Sequence, residues 1–255
     1  MKLQDKVAIV TGGGTGIGRG ISEVLARAGA KVAVNYSRSR DDAEQTVAAI
    51  CSSGGSAIAI AADVSKDSDA RTMMERVSDQ FGRLDILVNN AGWSTRIPHE
   101  KLDDLTDEIW DRTLNTNLRG AFYCMRAAVP FLKKQPGSSI INIASVAALT
   151  GQGSSIAYAA SKGGMLTMTK SFARVLAPDV RVNAIAPGFV RTRFANWPQS
   201  AFDQGESITP LKKLPTPEEI GELTLYLASE TTPITGQTIE MDGGLAALGP
   251  YPPRI

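Results

Sequence analysis

Seven short runs of apolar, mostly β-branched residues recur along this chain, and the intervals between them read as helices. The runs are "KVAIV" at 6–10, "KVAVN" at 31–35, "AIAIAAD" at 57–63, "LDILVNN" at 84–90, "SIINIAS" at 139–145, "VRVNAIAP" at 180–187 and "TIEMD" at 238–242. Most of them do not alternate polar with apolar residues. A strand can be apolar on both sides only if both faces of its sheet are covered, which is the condition of a parallel sheet. Between the runs lie segments such as "GIGRGISEVLARAG" and "DDAEQTVAAICSSG", the second with an acidic first turn and a glycine at its end. Strand alternating with helix implies an α/β fold, a doubly wound parallel sheet of seven strands with helices on both faces. The least regular stretch is 188–216, "GFVRTRFANWPQSAFDQGESITPLKKLP", which reads as a lid or substrate-binding loop within that domain.

Composition narrows the function classes. With 255 residues and 43% apolar content the chain suits one domain, 1–255, better than two. The 27 Lys and Arg balance 26 Asp and Glu, so nothing draws the chain to nucleic acid or to an anionic membrane. Cys51 and Cys124 are too few and too far apart for a disulfide framework or a metal knuckle. The single histidine, His99, excludes a histidine-rich metal site and reads as a solvated loop residue. No apolar run reaches membrane-spanning length, and "MKLQDK" enters the first strand too soon for a signal peptide. The expectation is a cytoplasmic protein without a metal.

The turn "VTGGGTGIGRG" follows the first strand and opens the first helix. Glycines there let backbone approach a pyrophosphate, and the helix N-terminus supplies N–H donors and a positive dipole. The spacing of Gly12, Gly16 and Gly18 is G-x-x-x-G-x-G, not the strict dinucleotide pattern. At the end of the second strand, where an acidic side chain would meet a free ribose 2′-hydroxyl, stand Asn35 and Tyr36, followed by Ser37, Arg38 and Arg40. A guanidinium can stack on adenine and bind a 2′-phosphate through two hydrogen bonds. The reading is NADP(H) in preference to NAD(H), with Arg38 the leading contact and Ser37 beside it. The alternative is that these arginines are solvated charges paired with Asp41 and Asp42. Asp63 would accept from the adenine amino group or cap the next helix.

Several motifs then coincide in order: "TGGGTGIG" (11–18), "DV" (63–64), "NNAG" (89–92), "NTNLRG" (115–120), Ser145, "YAASK" (158–162) and "PGFVRT" (187–192). Together, over about residues 5–245, they resemble the short-chain dehydrogenase/reductase family in its single-domain Rossmann form. The branch they look most like is that of 3-oxoacyl-(acyl-carrier-protein) and carbonyl reductases. The resemblance implies Tyr158 as catalytic acid/base, Lys162 as its partner, Ser145 as the carbonyl-polarising hydroxyl and Asn117 as a water-holding relay. It implies cofactor contacts at Gly12, Thr15, Gly16, Ile17, Gly18, Asp63 and Val64. It puts Asn90, Ala91 and Gly92 at the ribose, Pro187, Gly188 and Val190 near the nicotinamide, and Thr192 at the carboxamide or pyrophosphate.

The chemistry fits these residue types. Reducing a carbonyl needs a hydride at carbon and a proton at oxygen. A tyrosine near its ordinary pKa of about 10 is a poor base at neutrality, and a nearby cation favours its phenolate. Lys162 stands at i+4 from Tyr158, so one helix can present both to one cleft, with the small "AAS" between them. Ser145 at a strand end can donate to the substrate oxygen as charge develops there. Trp93, directly after "NNAG", should border the substrate cleft. Phe194 and Trp197, with Arg191 and Arg193, make a mixed aromatic and basic lid suited to a carbonyl compound with an apolar body and a carboxylate or phosphopantetheine. Lys133, Lys134 and Arg174 are candidates for docking an acidic acyl carrier. The long helical segments 107–134 and 156–177 carry apolar or small residues on more than one face, which implies a partner subunit and, by the resemblance, a homotetramer. The proline-bearing tail "LAALGPYPPRI" would either cross that interface or hang loose. Two competing functions are an NAD-dependent dehydrogenase of a sugar, polyol or other secondary alcohol, and a nucleotide-sensing scaffold without catalysis.

Overall fold

The computed structural model describes residues 3–229 and 232–250. Residues 251–255 of the C-terminal tail lie outside the described residues. Seven strands form one parallel sheet: β1 (Val7–Val10), β2 (Lys31–Tyr36), β3 (Ser56–Ala61), β4 (Ile86–Asn89), β5 (Ser138–Ile143), β6 (Val180–Pro187) and β7 (Thr238–Met241). Their order across the sheet is β3-β2-β1-β4-β5-β6-β7, so the winding direction reverses between β1 and β4. Ligands of such sheets bind outside the carboxyl ends of the strands at that reversal.

The lack of alternation in the strands has the expected cause. In β1, Ala8 and Val10 point into one core and Val7 and Ile9 into another. The first core is closed by α1 (Gly16–Arg27), α2 (Arg40–Ser52) and α9 (Pro217–Ala228), through Ile21, Leu25, Ile50 and Ile220. The second is closed by α3 (Asp67–Phe81), α5 (Gly120–Leu132) and α7 (Ile156–Leu176), through Met73, Met74, Met125 and Leu176. The remaining helices are α4 (Asp107–Leu114), α6 (Ala147–Thr150), α8 (Gln199–Ile208) and α10 (Leu245–Leu248).

Two departures from the sequence reading bear on function. The segment 188–216 is not a plain loop: it holds a 3-10 turn at Phe194–Asn196 and the ten-residue helix α8. The helical path through 107–134 is not uniform either. Between α4 and α5, residues Asn115–Arg119 form a π turn, and Asn117 sits fully buried in it. Wide turns of this kind displace one side chain from the regular helical stripe, which is how they come to serve sites. Among the described residues, no helix is long and apolar enough to cross a membrane.

Helices α1 and α9 approach at Gly20 and Gly221. A Cβ on Gly20 would stand 2.5 Å from the Pro217 backbone, and one on Gly221 2.7 Å from Val24. Replacing an exposed helical glycine by alanine stabilises by about 1 kcal/mol. At Gly20 the overlap with backbone reverses the sign, and we expect Gly20→Ala to destabilise by about 1–3 kcal/mol. Thermal melts check this; an unchanged or raised midpoint would mean that the two helices are not packed this closely.

Candidate active site

The carboxyl ends of β1 and β4 are tied together by side chains rather than by backbone ladders. Thr11 Oγ1 accepts from the N–H groups of Asn90 and Ala91, each at 3.0 Å, and donates to Val88 O. Asn90 Nδ2 reaches back to Thr11 O at 2.9 Å and Gly12 O at 3.1 Å. On the other side Asn35 Oδ1 accepts from Gly12 N at 3.2 Å, while its Nδ2 donates to Ile60 O and Ala62 O of the β3 end. Asn35 is buried, so it braces the glycine turn and does not face a ribose. Within the turn Gly12 and Gly16 adopt left-handed backbone with φ of +61° and +51°. A Cβ on Gly16 would lie 3.2 Å from Thr192, which brings "PGFVRT" against the glycine turn. Thr15 is the N-cap of α1 without a side-chain cap bond, Ile17 packs on the core, Gly18 is buried against Gly12 O, and the first turn of α1 holds no carboxylate. A glycine cradle under an unneutralised helix N-terminus fits a pyrophosphate.

At the β2 end Ser37 and Arg38 are exposed. The pairing expected with Asp41 and Asp42 is not what forms: Arg40 binds Glu44 at 2.7 Å and Asp42 binds Arg193 at 2.8 Å. Among the described residues, Arg38 has no carboxylate partner. Its charge is felt by Asp63, whose ionisation burial opposes. Hydrogen bonds from Ser65 and the charges of Lys66 and Arg38 outweigh that burial and hold the carboxyl below its usual range. Asp63 does not cap α3; its Oδ1 accepts from Ser65 N and Ser65 Oγ and closes the turn after β3. Val64 is buried against Gly120. Arg112, on α4, is a residue that the sequence reading passes over. Its guanidinium lies 4.1 Å from the centre of the Trp93 ring, where lost solvation, and after it the like charge of Arg38, lowers its pKa. The Trp93 ring thus packs against Arg112, and the lid rings pack on Tyr158 and Phe189.

Asn117 ties three segments together. Its Oδ1 accepts from Trp93 N at 2.7 Å, and its Nδ2 donates to Trp93 O at 3.0 Å and to Ser161 Oγ at 3.1 Å. Ser161 Oγ donates to Tyr158 O at 2.7 Å. Both amide donors are therefore committed to protein groups. Ser155 caps α7 by accepting from Tyr158 N, which fixes the helix start and so the aim of Tyr158 and Lys162 one turn apart. Lys162 is 3% exposed, and its Nζ donates to Ile143 O at 2.7 Å, two residues before Ser145. One ammonium donor is spent there and two remain. The Lys162 Nζ is 5.8 Å from the centre of the Tyr158 ring. Ser145 Oγ accepts from Ala147 N at 3.1 Å, although the N-cap of the short α6 is Val146, and it is also a hydrogen-bond partner of the Tyr158 phenol. Val146 N donates to Pro187 O, and Gly188 N to Met241 O, which sets the "PGFVRT" turn beside Ser145; Val190 is buried below it. Ala91 and Gly92 are partly exposed, and a Cβ on Gly92 would come within 3.4 Å of Asn117 Oδ1.

The electrostatics differ from the sequence expectation in one respect. Burial pushes the Tyr158 phenol up to about 12, with the Ser145 hydrogen bond pulling the other way, and pushes the Lys162 ammonium down to about 8. In this structure desolvation is the larger influence on the phenol, so it holds its proton at neutral pH. Phe194 covers Tyr158 with ring centres 5.7 Å apart, and Trp197 packs edge-on to Phe189 at 5.4 Å. His99 is not fully solvated as expected: it is half-buried, with Nε2 enclosed and unpartnered. Of the three candidate carrier-docking cations, Lys133 is paired with Asp179 and Lys134 rests on Phe131.

A family model described as enoyl-(acyl carrier protein) reductase matches residues 12–246. The 3-oxoacyl-(acyl-carrier-protein) reductase FabG of Staphylococcus epidermidis is 38% identical over 244 residues, covering 94% of this chain and 99% of the relative. General stress protein 39 of Bacillus subtilis is 38% identical over 247 residues, covering 95% and 85%. A crystal structure of a short-chain dehydrogenase from Burkholderia cenocepacia in complex with NADP superposes with a TM-score of 0.89 at 36% identity, covering 97% of this chain and all of that one (100%).

The buried ammonium gives a signed expectation. Its folded-state pKa of about 8 lies below the ordinary 10.5, so between those values the unfolded chain binds more protons and stability rises with pH. Lys162→Met lacks that titration. The stability of wild type minus that of Lys162→Met, from urea unfolding, should therefore increase between pH about 8 and about 10.5. A difference that does not vary with pH would mean that Lys162 is not buried as an ammonium.

Proposed function

The chain belongs to the short-chain dehydrogenase/reductase family, and on that premise we propose that it is an NADP-dependent reductase of ketones, 3-oxoacyl groups foremost, with Tyr158 as the proton donor. Members of this family are oxidoreductases that act on carbonyl or alcohol groups with a nicotinamide cofactor. The observation that carries the reading is the joining of Ser145, Tyr158 and Lys162 at the carboxyl end of β5.

When bound, the cofactor supplies the hydride that reaches the carbonyl carbon. The chain's residues manage the oxygen. Ser145 donates a hydrogen bond to it as negative charge develops. Tyr158 hands over its phenolic proton, so a secondary alcohol leaves and a phenolate stays behind. The Lys162 ammonium, anchored on Ile143 O, stabilises that phenolate and has two donors left for ribose hydroxyls. A phenol that keeps its proton suits the acid's part in the reduction. Asn117, its amide donors taken up by Trp93 O and Ser161 Oγ, holds the Trp93 loop and α7 in register, a positioning role.

NADP is favoured because Arg38, with no carboxylate partner among the described residues, stands exposed after β2, where Asn35 is turned inward, and Arg112, held on Trp93, is near enough to feel its charge. A 2′-phosphate is the ligand that two such cations fit. The similarity to a dehydrogenase crystallised with NADP supports the same choice, and the FabG relatives support 3-oxoacyl substrates. Phe194 and Trp197 of the 188–216 segment form the apolar wall for the substrate.

Tyr158→Phe should lower kcat/KM for NADPH-dependent ketone reduction by about 10²–10⁴-fold without loss of NADPH binding. Retained activity would remove Tyr158 from the chemistry. Arg38→Ala should raise the KM for NADPH by about tenfold or more and leave that for NADH unchanged. A wild-type enzyme that prefers NADH would overturn the cofactor assignment.

A further inference from the structure

Three arginines surround the outer part of the cleft, and they are not equivalent. Arg191 is paired within the lid to Asp203 at 3.1 Å and Glu206 at 2.7 Å. Arg193 is paired across to Asp42 of α2 at 2.8 Å. These two, which the sequence presents as the basic part of the lid, are consumed as ties that hold the lid in place. Arg96 is exposed and, among the described residues, has no carboxylate partner. Its guanidinium lies 5.8 Å from the centre of the Trp197 ring, so it spans from the loop after β4 to the lid. Stacking on an aromatic ring orients a guanidinium without neutralising it.

The loop carrying Arg96 is fixed on both sides. Trp93 is bound through its N–H and C=O to Asn117, and Ile97 N donates to Ser154 O at 2.7 Å, immediately before the cap of α7. The Ser94 and Ser154 hydroxyls share a hydrogen bond as well. At the inner end of the same loop Gly92 faces Phe194, which covers Tyr158. Four residues of extended chain from Gly92 to Arg96 span at most about 14 Å. Phe194 and Trp197 lie between the two ends, so the wall is polar at Tyr158, apolar along the rings and cationic at Arg96.

We propose that Arg96 binds an anionic group, carboxylate or phosphate, carried by the substrate, and that the substrate is an oxo compound whose acid group is separated from the reacting carbonyl by an apolar stretch. This rests on the reading that the carbonyl is reduced at Tyr158. The acid group is not adjacent to the carbonyl, because the two rings stand between. A carboxylate of a keto acid and the phosphate of a phosphopantetheine arm share the required chemistry.

The test compares matched pairs: 5-oxohexanoate against its methyl ester, and 3-oxobutanoyl pantetheine against its 4′-phosphate. Each is assayed for NADPH-dependent reduction, and for binding by calorimetry with NADP present, in wild type, Arg96→Gln and Arg96→Glu. In at least one pair the anionic member should have a KM and a Kd lower by about tenfold or more. Arg96→Gln should bring that ratio to within about twofold of one, and Arg96→Glu should invert it. The pair that responds identifies carboxylate or phosphate as the source. Equal affinities within both pairs, or an equal loss for both members on Arg96→Gln, would overturn the proposal. The binding measurement separates the two readings. Anion preference lost in Arg96→Gln without turnover would leave Arg96 standing and remove the reductase assignment. Turnover of both members alike would do the reverse.

Discussion

Three asparagine amides, Asn35, Asn90 and Asn117, do at the carboxyl edge of the sheet what backbone ladders do inside it. Strand pairing ends near Val10, Tyr36 and Asn89, and beyond those residues the chain must turn while its N–H and C=O groups stay satisfied. Asn35 binds the glycine turn on one side and the end of β3 on the other. Asn90 closes β4 onto β1, and Asn117 binds the Trp93 loop to α7. Each amide supplies donors and acceptors together, which a carboxylate or an ammonium cannot. The glycine turn, the Trp93 loop and the aim of Tyr158 all hang on these crossbars.

The second constraint is desolvation. Burial of the half-covered Tyr158 and the enclosed Lys162 pushes both toward their neutral forms, the phenol up to about 12 and the amine down to about 8. That is the state the proposed role of Tyr158 as proton donor requires.

The fold was legible because strands buried on both faces leave an unmistakable pattern, and all seven apolar runs became strands within a residue or two of their expected ends. Ser145, Tyr158 and Lys162 were legible as a set through the family's ordered motifs. What was not legible depends on side-chain partners. Nothing in "GFVRTRF" tells that Arg191 and Arg193 are tied up in ion pairs, while Arg96, in a different segment, has no carboxylate partner among the described residues. Arg112 is one arginine of an amphipathic helix until Trp93 is seen against it. Asn35 did leave a signal, a polar residue ending an apolar run. Its meaning as an inward brace needed the β3 end to be in place. His99 read as solvated because loop residues commonly are, yet its ring is half covered.

The central claim is that this site moves a hydride from a nicotinamide cofactor to a carbonyl carbon while Tyr158 protonates the oxygen. The most direct measurement is to incubate the protein with NADPH deuterated at C4 and 3-oxobutanoyl pantetheine, then locate the label by mass spectrometry and NMR. The account predicts one deuterium on the carbinol carbon of the 3-hydroxy product and none elsewhere. Label lost to solvent, label at the α-carbon, or no alcohol formed at any ketone would contradict it.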